Sequence, residues 1–383
     1  LNGAIQFHYI PNTDIESEYK YWAVTDDPAT GRLRLKRGAV PPNMNWRHAS
    51  AGYEYYFRRA ADSLRAGETD DAAGFLGTLL HFIEDSTFGL HAVEGTDGVD
   101  IFVLDRFIEP PGGDLALRPS SVIDCKLLPF DIQGYQPRLL GLKPAEAAFH
   151  LYTACAEVVA AARKKLIPIV FHVYEKNEAA ANALRLAMLQ DSARLCADVV
   201  FTCCAMAGAG WTADQAARLQ QVYLSDMKPV REPRGLSMPY RFITMLRDAA
   251  LDADRRAVPL RLKIDGQETA FAKGLGTGSH YDYTLAWEIP AGVYDRFRCA
   301  VGAHSTLSPD GDFTASLTMN GRVEAEARCW PERPAARFGC GVSHGGLLEL
   351  KVRSGAGMAL KSNIVWGAPL LTRAPLPQGK ATS

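Results

Sequence analysis

The stretch LLHFIEDSTFGLHA, residues 79–92, sets His81, Asp85 and His91 among apolar neighbours. His81 and Asp85 are four residues apart, so on a helix they share one face. His91 follows just beyond Gly89, where the chain can bend back. Imidazole nitrogen and carboxylate oxygen suit zinc, which in catalytic sites takes three protein ligands and leaves a position open for water. Water bound there loses a proton near neutral pH and becomes a nucleophile. The H-x-x-x-D spacing alone is weak, because a buried histidine hydrogen-bonded to its aspartate produces it too.

The remaining polar groups invite smaller expectations. His48 in WRHAS opens a helix and reads as a cap or surface residue, while His150 and His172 lie on apolar helix faces and read as core or interface. Glu94, Asp97 and Asp100 make an acidic loop after His91, read as solvated turn residues with extension of a metal site as the alternative. The eight cysteines show no C-x-x-C spacing, which argues against a thiolate zinc site. Cys203 and Cys204 read as small buried hydrophobes. One pair among Cys299, Cys329 and Cys340 could bridge in an exported protein, and a secreted or extracytoplasmic location is the expectation. His280, His304 and His344 lack clustered partners, so no metal is expected on the C-terminal half.

The elements that must position these residues fall into two halves. At 383 residues two domains are expected. A hydrophobic content of 47% supports real cores, and a net charge of -1 argues against a general nucleic-acid or membrane-surface binder. No apolar run reaches the roughly 20 residues of a membrane span. From about residue 46 to 225 the pattern is helical: NWRHASAGYEYYFRRAADSLRAG follows an Asn and ends at a Gly, and DDAAGFLGTLLHFIED is apolar nearly all round. A Pro- and Gly-rich excursion over about 107–142 comes next, and two long alanine-rich segments follow it. Beyond about Pro259 short strands alternate with turns, Asp265-Gly266 and Asn320-Gly321 being hairpin pairs, which predicts an antiparallel β-sandwich. The expected division is a helical domain over 1–225, a linker with a helix over 226–258, a sandwich over 259–375 and a tail over 376–383.

Set in its surroundings, the His81 stretch resembles a known family. FHYIPNTD near the start, then YEYYFRRAADSLRAGETDDAAGFLGTLLHFIEDSTFGLHA, is similar to the zinc-dependent phospholipases C, relatives of the fungal single-strand nucleases. Ala72, Leu76 and Gly77 precede His81, and Ala92 follows His91, at the distances of that family's motif. The resemblance implies a helical domain whose zinc cluster takes His8, His81 and Asp85, with His91 beginning a second site. That site normally ends in H-x-x-x-E; here Asp105 stands at the Glu position, Ile101 at the His position, and Asp100 beside it offers a substitute oxygen. One to three zinc ions are thus implied, the second site being incomplete. Beyond metal-bound water no catalytic group is assigned, Asp85 being the one candidate. The family draws further ligands from a region ahead of the His8 segment; this chain begins seven residues before His8, so a processed or partial sequence is expected.

The C-terminal half resembles the NPCBM-type carbohydrate-binding modules through KGLGTGSHYDYTLAWEIPAGVYDRFRCAVGAHS, GDFTASLTMNGR and LLELKVRS. That resemblance implies glycan binding, for which Trp287, Trp330 and Trp366 are the stacking candidates; the alternative is that two of them fill the core. The combined expectation is a phospholipase C-like hydrolase of phosphoesters, phospholipid among them, held to a glycan or cell surface by its sandwich. The alternatives are a non-catalytic or weakly metal-binding relative that binds carbohydrate, and a single-strand nuclease of the same fold. Tyr53, Tyr55 and Tyr56 do not separate base stacking from helix packing, and no specific nucleic-acid partner is expected.

Overall fold

The computed structural model describes residues 22–26, 33–37, 50–87, 89, 103–123, 128–231, 245–252, 256–278, 282–307, 312–354 and 363–373. The chain divides into two compact units near Gln215 and Ala216. In the first, strands β1 (Trp22–Asp26) and β2 (Leu33–Arg37) pair antiparallel, an element with no counterpart in the sequence reading. Helices α1 (Ser50–Ala66) and α2 (Thr69–Thr87) follow. Gly67, at a φ of 79°, ends α1 in the left-handed conformation that glycine adopts freely, and Asp70 and Asp71 open α2 where the helix dipole favours acids.

A short helix α3 (Pro119–Ile123) precedes the two long ones, α4 (Pro144–Tyr174) and α5 (Glu178–Met206). α4 starts with proline at its first position, and Asn177 caps α5 by accepting from the Ala180 amide. One core joins Tyr53, Tyr56 and Phe57 of α1 to Phe75, Leu79 and Ile83 of α2 and to the inward faces of α4 and α5. A second, smaller core packs Val122 and Ile123 against Leu166, Ile169 and Met188. The 107–142 excursion, expected on the surface, is there only in part: residues 111–116 are exposed, whereas Val122, Ile123, Leu139 and Leu140 are buried. Asp198, fully buried on α5, accepts from the Tyr135 hydroxyl, the Arg138 amide and the Arg138 Nε at 2.7–2.8 Å.

The second unit is built from two antiparallel sheets. One runs β10 (Tyr283–Ile289), β15 (Gly346–Ser354), β12 (Phe313–Met319), β13 (Arg322–Cys329). The other runs β14 (Ala336–Gly341), β11 (Arg296–Ala303), β16 (Asn363–Thr372), β9 (Gly274–Gly278), β4 (Leu246–Arg247), with β3 (Gln221–Tyr223) also on β16. Their inner faces bury Trp287, Phe313 and Leu350 from the first sheet, and Phe297, Val301 and Trp366 from the second. The Tyr283 hydroxyl bonds across from β10 to Trp366 Nε1 and Thr277, which joins the sheets as a sandwich. Both expected hairpin pairs are turns with two positive φ values, Asp265 and Gly266 at 49° and 83°, Asn320 and Gly321 at 53° and 81°. Hairpin β7–β8 (Leu260–Ile264, Gln267–Phe271) covers part of the second sheet's outer face through Leu260, Leu262, Ala300 and Val365.

The boundary at Pro259 needs correcting. β3, β4 and the pair β5–β6 (Ala250–Leu251, Ala257–Val258) precede it, yet β3 and β4 hydrogen-bond into the second sheet. The described part of 226–258 is therefore built into the sandwich unit rather than spacing two domains. Gly276 shows how tightly: a Cβ there would lie 2.3 Å from the Ala249 carbonyl oxygen.

Candidate functional site

On α2, His81, Glu84 and Asp85 form a polar stripe within an apolar helix. His81 is buried, and its Nε2 lies 3.3 Å from Asp85 Oδ2, the helix-face pairing that the four-residue spacing predicts. Burial, then the neighbouring Asp85 charge, pushes the Glu84 carboxyl up to about 7. A histidine, a carboxyl poised near neutrality and a carboxylate are the ingredients of proton transfer as well as of metal binding. α5 borders this stripe: burial first, and then the Glu84 charge among others, raises the Cys196 thiol. The Thr87 hydroxyl donates to Ile83 O and bonds to Ser192 Oγ at 2.8 Å, tying the end of α2 to α5. Burial raises Cys155 and Cys203 to about 12, so these thiols are inert small hydrophobes. The seven described cysteines are free.

The zinc cluster implied by the resemblance needs more ligands than the stripe provides. His8, His91 and Asp100 lie outside the described residues, as do His48, Glu94 and Asp97. Asp105 is committed elsewhere: its Oδ1 accepts from the Ser120 amide at 2.7 Å and its Oδ2 from the Ser120 hydroxyl, holding the first turn of α3, with Arg118 Nε 4.0 Å away. That arrangement replaces the expected ligand role with a helix-start anchor. Among the described residues no group of three His, Cys, Asp or Glu side chains could hold a metal ion. The described residues alone thus do not fit a zinc centre, and no reaction step follows from one.

His150 packs edge-on to Phe149, and His172 Nδ1 lies 3.8 Å from Glu175 Oε2, positions that match a packing role. Tyr53 and Tyr56 are buried, and Tyr55 sits edge-on to Tyr56 and Phe75, so these rings pack helices rather than line a strand-binding surface.

In the sandwich the three tryptophans part company. Trp287 and Trp366 are fully buried, with Nε1 donating to Met227 O and to the Tyr283 hydroxyl, each at 3.2 Å. Neither presents a ring face to a sugar, which corrects the expectation for both. Trp330, just after β13, is 37% exposed. The Arg333 guanidinium lies 4.8 Å from its ring centroid and donates to Arg328 O at 2.9 Å. Arg328 in turn forks onto Asp312, its Nε 2.9 and 3.1 Å from the two carboxylate oxygens, and that pairing holds Asp312 below the usual carboxylate range. The sequence pointed to Trp330 but not to this polar set, because Asp312 and Arg328 meet only through pairing of β12 with β13.

By fold the second unit is an antiparallel β-sandwich with one exposed tryptophan set beside a fixed ion pair. No protein-family model matches the sequence, and no curated protein matches it. Solved structures similar to the chain include CBM51 from Clostridium perfringens GH95 in complex with methyl-galactose, at 18% identity and TM-score 0.34, covering 40% of this chain and 99% of that one. The tandem CBM51 modules of the family 98 glycoside hydrolase from Streptococcus pneumoniae SP3-BS71 match at 22% identity and TM-score 0.35, over 40% of this chain and 47% of that one. The CBM22-1 xylan-binding domain from Paenibacillus barcinonensis Xyn10C matches at 13% identity and TM-score 0.23, over 44% and 98%. Identities and scores of that size transfer neither ligand nor activity to this chain. No helix among the described residues is long and apolar enough to cross a membrane.

Proposed function

We propose that the sandwich unit binds carbohydrate at the surface around Trp330. The observation that carries this reading is the exposed indole held beside Arg333 and the Arg328–Asp312 pair. Sugar rings offer an apolar C–H face and a rim of hydroxyls; a flat aromatic with charged donors and acceptors in fixed positions complements both. The test is a panel of neutral glycans against the full chain and its Trp330→Ala variant. Native binding with a loss of about tenfold or more in the variant is expected. Equal affinity of the two proteins overturns the reading.

A second reading, a metal-dependent phosphoester hydrolase centred on His81, is favoured by one observation: His81 and Asp85 meet on a buried helix face beside a carboxyl shifted toward neutrality. His81 and Asp85 are two of the three protein ligands that a catalytic zinc takes, so this reading requires at least one more ligand from outside the described residues. Elemental analysis of the purified full chain, repeated on His81→Ala, tests this. Zinc in the native protein and its loss in the variant support the reading, and a zinc-free native protein that hydrolyses no soluble phosphoester ends it.

A further inference from the structure

Hairpin β7–β8 covers only part of the second sheet's outer face, through contacts on Ala300 and Val365. The remaining part is read from strand register, since direct partners in antiparallel strands share a face. One row runs Gly341, Arg296, Thr372, Gln221; the next runs Gly339, Arg298, Leu370, Tyr223. Between them lies the inward row of Phe297, Leu371 and Val222, all buried, which fixes the two arginine rows as outward. Arg296, Arg298, Gly339, Gly341 and Gln221 are exposed, Tyr223 and Thr372 are half-buried, and Leu370 between Arg298 and Tyr223 is buried. At the border of the hairpin, Arg337 pairs with Asp265 of its turn at 2.6 Å.

The two arginines stand apart from their neighbours. Arg261, Arg322, Arg328, Arg337 and Arg353 of the same unit are each held by a carboxylate. Among the described residues Arg296 and Arg298 have no ion-pair partner, although two like charges about 7 Å apart on one strand repel. The flanking glycines carry no side chain beside the arginines: a Cβ at Gly341 would meet nothing within 4 Å, and one at Gly339 would lie 3.9 Å from the Arg298 Cβ.

We infer that this glycine-flanked strip, Arg296 and Arg298 with Tyr223, Gln221 and Thr372 beside them, is a second binding site and takes an acidic glycan. Paired guanidiniums match carboxylate or sulfate groups in bidentate geometry, Tyr223 offers an aromatic edge, and Gln221 and Thr372 offer hydrogen bonds to hydroxyls. Four strands span about 14 Å, a platform for a short oligosaccharide. Nucleic acid is the poorer fit, since it calls for an extended basic field and the chain's net charge is -1. The inference shares with the Trp330 reading only the premise that the unit takes saccharide; the residues are different, so the two can fail separately.

The experiment measures affinity of the full chain for heparin, polygalacturonate, dextran sulfate, neutral dextran and single-stranded DNA. The variants are Arg296→Ala/Arg298→Ala, Arg296→Lys/Arg298→Lys and Trp330→Ala. Native protein should bind heparin and at least one of the two other acidic polymers, which separates sulfate from carboxylate recognition, and should not bind neutral dextran at this strip. The alanine pair should lose about tenfold or more at an unchanged melting temperature, the lysine pair should also weaken, and Trp330→Ala should retain acidic binding. Native-like affinity in the alanine or lysine pair overturns the site, as does DNA binding of equal strength with the same arginine dependence. So does an absence of acidic-glycan binding by the native chain.

Discussion

His304, which is buried, and Glu84, which is half-buried, push stability in opposite directions with pH. His304 Nε2 lies 2.9 Å from Pro259 O and its Nδ1 accepts from the Thr306 amide, so the neutral ring fits its site. Burial, the largest cause, lowers its pKa below the ordinary histidine value. A depressed folded pKa means its contribution is present above about 6.5 and is lost as pH falls toward the folded value. Glu84 is the reverse case. Its folded pKa of about 7 lies above the ordinary carboxyl value, so its contribution is full below that ordinary value and disappears as pH rises through 7. Acidification from pH 7.5 to 5 should therefore loosen the sandwich around His304 and tighten α2. Segment-resolved hydrogen exchange reads both at once, and His304→Gln and Glu84→Gln should each flatten its own segment's response. Parallel pH trends in the two segments would contradict this account.

Elements in this chain are held by groups that look unremarkable in their local sequence. Asp198 lies within α5, where the apolar run VVFTCC follows it, yet its carboxylate fastens the Tyr135–Arg138 stretch some 60 residues away. Asp198→Ala should leave the Arg138 amide without its acceptor and cost about 2–3 kcal/mol. Hydrogen exchange over 128–141 should rise while the α1–α2 core stays protected. Gly276 makes the same point in the sandwich. It sits under the Ala249 carbonyl at a distance no side chain tolerates, so Gly276→Ala should cost about 1–3 kcal/mol through displacement of β4 and β5 from β9. A melting temperature equal to native would show that the strands give way without strain. Neither role is visible in one-dimensional pattern, whereas the hairpin turns at Asp265-Gly266 and Asn320-Gly321 are, because a two-residue turn needs only its own two φ angles.

At the scale of the molecule, the sandwich unit should be cut where its pairing begins. A fragment starting at Ala216 keeps β3 on β16 and β4 on β9; one starting at Pro259 leaves both edges bare. The first should show a single cooperative melt, and the second should melt lower or aggregate; equal stability of the two would make the earlier strands dispensable. The helical-then-strand division, the pairing of His81 with Asp85 and the two hairpin turns were legible in the sequence, because residue periodicity, a four-residue spacing and a two-residue turn are all local features. The sequence also supplied a set of three tryptophans without distinguishing them. Folding of the whole chain put Trp287 and Trp366 inside and Trp330 outside, took Asp105 for the start of α3, and set Arg296 and Arg298 exposed on one outward face. Those outcomes rest on register and burial between segments far apart in the chain, and alternation along one strand says which residues share a face but not which face is covered.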